Sequence, residues 1–390
     1  MHKKRKMKSI VKLLLVLIII GGVGFFLYNN YSPKNTPSKE TKKIIDNSEI
    51  DKTIFKDYQK QAAELVSNMS LGEKVGQLFL VRYNKNDVDY LSNFIPGGYI
   101  LFAKDFENHT KESIKKELDY AQNKNKYPLI IGVDEEGGYV TRVSRFKNFR
   151  DERFQSPKSY YQQGGWSLLE ETEKEKATLL KEIGINLNLA PVADVSTNED
   201  DFMYIRAFGE DATKTSEYIK NMVGYANNNK INSCLKHFPG YGNNEDTHTG
   251  IAIDNRSYET FENSDYLPFK AGIEANVPSI LVSHNIVKCM DENLPASLSE
   301  KVIKELREKL GFTGIIMTDD LAMDAVKTYV DNNEAATMAI NAGNDMIITS
   351  DFVPMYKEIV NSIKEGKIKE KTIDKAVTRI IAWKYYSNLF

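Results

Sequence analysis

From about residue 53 onward, short apolar or β-branched runs alternate with longer amphipathic segments. The runs Val75 to Val81, Gly98 to Phe102, Leu129 to Val133, Leu187 to Val195, Ser233 to His237, Ser279 to Ser283, Gly314 to Thr318 and Asp345 to Thr349 read as strands. Helical periodicity marks the intervals Thr110 to Lys126, Leu168 to Ile183, Lys214 to Asn229, Phe261 to Ala275, Ser299 to Leu310, Asp331 to Ala342 and Met355 to Lys364. Such alternation predicts a parallel sheet, and eight strands each followed by a helix is the count of a closed (β/α)8 barrel of the TIM type. The barrel is expected to fill residues 53–390 as one domain, with a final helix from Ile373 to about Tyr386 covering its outside. A doubly wound open sheet is the alternative; it leaves the strand count unusual and lacks a Gly-rich turn after the first strand.

The first residues follow a different pattern. Lys3, Lys4, Arg5, Lys6, Lys8 and Lys12 form a basic segment over residues 1–12, and the uncharged run Leu13 to Tyr28 follows it. With Ile10 and Val11 counted, that run approaches the roughly 17 to 25 residues of a spanning helix. Asn-Asn-Tyr-Ser-Pro comes next, with no small-residue cleavage pattern and no cysteine to lipidate, so the expectation is a single uncleaved pass through the plasma membrane. The basic end would stay inside and the remainder face outside, or be secreted were the segment removed. Residues 29–52, with Pro33 and Pro37, read as a flexible linker.

Composition narrows the function without defining it. The 390 residues are 41% hydrophobic and 27% charged, and 52 basic against 54 acidic residues give a net charge of -2, so nucleic acid is not an expected partner. Cys234 and Cys289 lie in apolar runs that read as neighbouring core strands; free thiols are the expectation, with a disulfide as the alternative if the strands lie side by side. A monomer is expected.

In a (β/α)8 barrel the active site gathers at the C-terminal strand ends, and polar residues follow these apolar runs repeatedly. Asp134-Glu135-Glu136-Gly137-Gly138 ends the third, Asp194 lies at the end of the fourth, and Lys236-His237 ends the fifth. Ser283-His284, Asp319-Asp320 and Ser350-Asp351 end the last three. Helix capping alone would account for Asp194, Asp320 or Ser350, but not for the set. The stretch Lys236 to Gly250 adds two histidines and two acids on a Gly-rich loop, a concentration of proton-transfer groups where backbone can bend. His237, Asp246, His248 and His284 are permissible metal ligands, against which stand the missing His-x-His pair and the charge of Lys236. Carboxylates opposed by a second acid/base group suit glycoside hydrolysis, in which one carboxylate attacks the anomeric carbon and another group protonates the leaving oxygen.

Four motifs occur in order: Asp-x-Glu-Gly-Gly-x-Val-x-Arg from Asp134, Arg-Ala-Phe-Gly-x-Asp from Arg206, Lys-His-Phe-Pro-Gly from Lys236 with Asp-x-His downstream, and Asp-Asp-Leu-x-Met from Asp319. Together they resemble glycoside hydrolase family 3, specifically its β-N-acetylglucosaminidase branch, over roughly Thr53 to Phe390. The resemblance implies Asp319 as nucleophile, His248 as acid/base and Asp246 as its dyad partner. It implies that Asp134, Arg142, Arg206, Lys236 and His237 bind the non-reducing N-acetylglucosamine. Configuration would be retained, with no metal and no cofactor, and the substrate would be a cell-wall saccharide or muropeptide. A β-glucosidase or β-xylosidase of the same family, or a non-catalytic wall-binding barrel, are the other readings. Tyr241, Thr318, Glu135 and Tyr139 depart from the residues usual at those places in the family, and the interval from Gly242 to the Asp-x-His pair is one residue shorter.

Overall fold

The computed structural model describes residues 53–244, 252–327, 329–330 and 334–390. Eight parallel strands form one sheet: β1 (Phe79–Arg82), β2 (Gly98–Leu101), β3 (Ile130–Val133), β4 (Leu187–Asn188), β5 (Asn232–Phe238), β7 (Ser279–Val282), β9 (Ile315–Thr318) and β10 (Ile347–Thr349). A separate parallel pair, β6 (Ile253–Asp254) and β8 (Ile286–Val287), lies apart from it. The order β10-β1-β2-β3-β4-β5-β7-β9 curls round until Met317 and Met346 form a parallel bridge, so the sheet is a TIM-type barrel. Strands β2, β3, β7 and β9 are buried at every residue, as helices outside and side chains inside require, which is why they read as continuous apolar runs.

The flanking helices are α1 (Gln59–Ser67), α2 (Leu71–Gln77), α3 (Lys111–Lys124), α4 (Pro157–Glu182), α5 (Ala212–Asn228), α6 (Tyr266–Glu274), α7 (Glu300–Lys304), α8 (Ala335–Ala342), α9 (Phe352–Lys364) and α10 (Glu370–Tyr386). Several start on side chains that satisfy the first free amides. Thr110 accepts from Ser113 N ahead of α3, Ser156 precedes Pro157 at the start of α4, and Asp211 accepts from Lys214 N ahead of α5. The helix α4 bends at Gly164 and Gly165.

Five expectations need correction. Val75 to Gln77 is not strand but the end of α2, because Ser70 and Glu73 form a capping box that starts a helix and carries it into the apolar run. β1 is followed before β2 only by the four-residue helix Val88–Leu91 and the 3-10 turns that flank it, Lys85–Asp87 and Ser92–Phe94. The run Leu187 to Val195 contributes two strand residues, since Pro191 has no N–H for the ladder. The last helix crosses the N-terminal ends of the strands rather than the outside. Trp383 Nε1 donates to Asn232 Oδ1 at 2.8 Å, Lys384 Nζ to Gln77 Oε1 at 2.6 Å, and Arg379 reaches Asp345. Both cysteines are free; Cys234 is buried, but Cys289 is exposed beyond β8 rather than in a core strand. Among the described residues no helix is long and apolar enough to cross a membrane, and residues 1–52 lie outside them.

Candidate active site

At the C-terminal strand ends lies a cavity of about 440 Å³ lined by Asp134, Glu136, Arg142, Arg206, Lys236, His237 and Asp319, with Tyr139, Phe202 and Met323 among the apolar contributors. Six of the eight residues expected at the site are thus brought together from β3, the segment after β4, β5 and the end of β9. Asp246 and His248 lie outside the described residues.

Lys236 is the centre of the charged floor. Its Nζ lies 2.6 Å from Asp134 Oδ1 and 2.6 Å from Glu136 Oε1, with only 3% of its side chain exposed. Arg206 grips Glu136 from the other side, Nη2 to Oε1 at 2.7 Å and Nε to Oε2 at 3.1 Å. Burial opposes charge on all three. For Glu136, Lys236 and Arg206 outweigh that cost and hold the carboxyl well below the usual range. For Lys236, burial is outweighed by Asp134 and Glu136, and for Arg206 by Glu136, so both are pushed up and stay cationic. The floor therefore presents fixed charges that need no rearrangement when a polar ligand replaces water.

His237 is held on both nitrogens. Nδ1 lies 2.8 Å from Asp194 Oδ2, and Nε2 lies 3.2 Å from Arg206 Nη2. Arginine has only donors, so Nε2 accepts and the ring proton sits on Nδ1 facing Asp194. Asp194 also accepts from His237 N at 3.1 Å and Tyr241 N at 2.8 Å; it fixes the base of the following loop rather than capping a helix. The Tyr241 ring stands edge-on to His237 at 5.2 Å and meets Phe202 at 6.2 Å, forming one wall. Arg142 lies over the Phe102 ring at 5.5 Å, with Nε 3.9 Å from Asp134.

The two acids after β9 differ in their tasks. Asp320 accepts from Ala322 N at 2.9 Å and from the backbone N of Ser350 at 3.1 Å, and it also binds the Ser350 hydroxyl, so it ties two strand ends together. Asp319 accepts from Asp320 N at 2.8 Å and lines the cavity, facing the basic floor. His284 is buried below, Nδ1 against Ser297 Oγ at 2.7 Å and Nε2 against the Asp320 carbonyl at 3.1 Å, a structural post under that turn. Among the described residues no group of three His, Cys, Asp or Glu could hold a metal ion; two of the four permissible ligands, Asp246 and His248, lie outside them.

Two features escaped the sequence reading. Glu136 follows the motif aspartate, yet its bridging of Lys236 and Arg206 appears only when β3, β5 and the segment after β4 meet. Arg256, two residues after β6, holds Asp254 and Asp265 and donates to the Gly240 carbonyl at 3.2 Å, gripping the root of the loop that leads to residue 245. No local pattern marks it.

Residues 70–383 match the glycosyl hydrolase family 3 N-terminal domain. The chain belongs to glycoside hydrolase family 3. A β-hexosaminidase from Methylobacillus flagellatus is 29% identical over 308 residues, covering 76% of this chain and 85% of that one. One from Haemophilus influenzae is 30% identical over 290 residues, covering 72% and 80%. Among solved structures, a glycoside hydrolase family 3 β-N-acetylglucosaminidase from a Paenibacillus species superposes with a TM-score of 0.77 at 26% identity, over 82% of this chain and 63% of that one. This family 3 member is accordingly a glycoside hydrolase, and the cavity at its strand ends is the candidate place for that chemistry.

Proposed function

We propose that the chain is a retaining, exo-acting β-N-acetylglucosaminidase that releases non-reducing N-acetylglucosamine from cell-wall fragments. The observation that carries this reading is the Asp319 carboxylate lining the same 440 Å³ cavity as a fixed sugar-binding floor of Asp134, Arg142, Arg206, Lys236 and His237. The names of the curated relatives support the choice of sugar. In the first step an Asp319 oxygen attacks the anomeric carbon, the bond to the leaving oxygen breaks, and His248 supplies the proton that oxygen needs. In the second, His248 takes a proton from water, which displaces Asp319 and completes hydrolysis with retained configuration. Asp246 orients the imidazole, whose unperturbed pKa near 6.5 suits both directions of transfer. The basic segment and apolar run of residues 1–28 would anchor the enzyme in the plasma membrane with the barrel outside, where wall fragments are found.

The test compares aryl N-acetylglucosaminides carrying good and poor leaving groups, with an aryl glucoside beside them. Asp319→Ala should abolish turnover of every substrate. His248→Ala should slow glycosylation mainly for poor leaving groups, since a good one departs without a proton. Equal losses on both would remove the acid/base role, and faster turnover of the glucoside would remove the choice of sugar.

A further inference from the structure

Tyr139 is 70% exposed, the most exposed large hydrophobic side chain among the described residues, and it lines the mouth of the catalytic cavity. It stands at the tip of a two-residue turn whose ends pair through Gly137 N and the Val140 carbonyl at 3.1 Å. Gly138, at φ +64, supplies the left-handed position such a turn requires and is pinned by its N–H to the Phe154 carbonyl at 2.8 Å. Below the turn, the buried Glu135 carboxylate accepts from the backbone amides of Arg142, Val143 and Ser144 at 2.8, 2.7 and 3.2 Å. The ring is therefore presented on a rigid base. Among the described residues it makes no hydrogen bond, ring contact or cation contact, although leaving apolar area in water costs stability. Phe202 and Met323 line the same cavity, and Phe202 is steadied against Tyr241.

The cavity thus changes character from charged floor to apolar rim. A pyranose has hydroxyls on its edge and C–H groups on its faces. The charged floor suits the edge of the sugar being released, and an isolated aromatic ring suits a face. We propose that Tyr139 is the stacking platform for the first pyranose ring of the leaving group, making this chain selective for saccharide leaving groups. The assignment rests on the reading above that Asp319 attacks the anomeric carbon within this cavity, because the leaving group then points to the mouth.

The test uses the full-length enzyme with two substrates that transfer the same glycosyl unit: β-1,4-linked di-N-acetylglucosamine, whose leaving group is a pyranose, and N-acetylglucosaminyl fluoride, whose leaving group has no ring. Tyr139→Ala should lower kcat/KM for the disaccharide about tenfold, mostly through KM, and leave the fluoride within about twofold. Tyr139→Phe should retain both activities, because the ring and not the hydroxyl makes the contact. An unchanged disaccharide rate, an equal fall on both substrates, or a Phe variant as poor as the Ala variant would each overturn the platform. The sugar assignment is scored separately by the wild type. If it cleaves only glucosyl fluoride and cellobiose, that assignment fails, and the ratio in the glucosyl pair decides the platform. A wild type that cleaves neither series overturns both.

Discussion

Glu136 shows what one buried carboxylate does when two cations share it. With Lys236 Nζ at 2.6 Å and Arg206 Nη2 at 2.7 Å, it neutralises charge that Asp134 alone would leave in excess. Its carboxyl, disfavoured by burial but held low by Lys236 and Arg206, releases its proton more readily folded than unfolded. The stability it confers is therefore fully present above the ordinary glutamate pKa of 4.5 and is lost as pH falls below it. Glu136→Gln is expected to cost roughly 3–5 kcal/mol at pH 7, because two buried cations lose a partner. It should also flatten the decline of stability below pH 4.5 and reduce kcat/KM roughly 10²-fold as Lys236 and Arg206 shift. Chemical denaturation across pH, joined to kinetics, checks all three, and a variant as stable as wild type at pH 7 would show the bridge contributes little.

At the scale of elements, the loop leaving β5 depends on a clamp outside the barrel sheet. Arg256 spends its fork on Asp254 and Asp265 and still reaches the Gly240 carbonyl. Gly242, at φ +56, lies so close that an added Cβ would stand 2.3 Å from the Arg256 guanidinium carbon. Gly242→Ala must push the guanidinium aside, and Arg256→Lys removes its planar geometry; both release the same carbonyl. Each is expected to cost about 1–3 kcal/mol of stability. Each should also slow poor leaving groups about tenfold more than activated ones, since that loop carries His248, the proposed acid/base. The double variant should be no worse than either single one. Equal losses across leaving groups would break the link from clamp to proton transfer. This clamp also marks where sequence reading stops. β2, β3, β7 and β9 were legible because strands buried on both faces are continuous apolar runs. Val75 to Gln77 misled because a helix turn and a strand look alike over so few apolar residues. Arg256 was illegible because, although Asp254 and Asp265 lie two and nine residues away, the Gly240 carbonyl sixteen residues back meets it only in the folded chain.

Across the whole molecule the division between chemistry and support follows the barrel axis. Asp134, Lys236, His237 and Asp319 could be read as site residues because each stands directly after an apolar run, which topology places at one end. The opposite end offered no such rule, and α10 proved to close it. There Lys384 is fully buried, with Gln77 Oε1 at 2.6 Å as its hydrogen-bond acceptor. Desolvation pushes its pKa down to about 7 from 10.5. Between those values the unfolded chain binds the proton that the folded chain rejects, so stability should rise with pH by up to about 1.4 kcal/mol per unit and stay at its lower level below pH 7. Lys384→Met removes that penalty but leaves the Gln77 oxygen without its donor, at a cost of about 1–3 kcal/mol. The two effects have different pH dependences, and a crossing follows. The variant should be more stable than wild type at pH 6, where burying the ammonium is penalised in full, and less stable at pH 10, where that penalty is nearly gone and the orphaned oxygen remains. Denaturant unfolding at the two pH values decides it: a variant weaker than wild type at both would mean that Lys384 finds enough solvation under α10 to stay charged. Activity should be unchanged at neutral pH, because the whole length of the strands separates this lysine from Asp319.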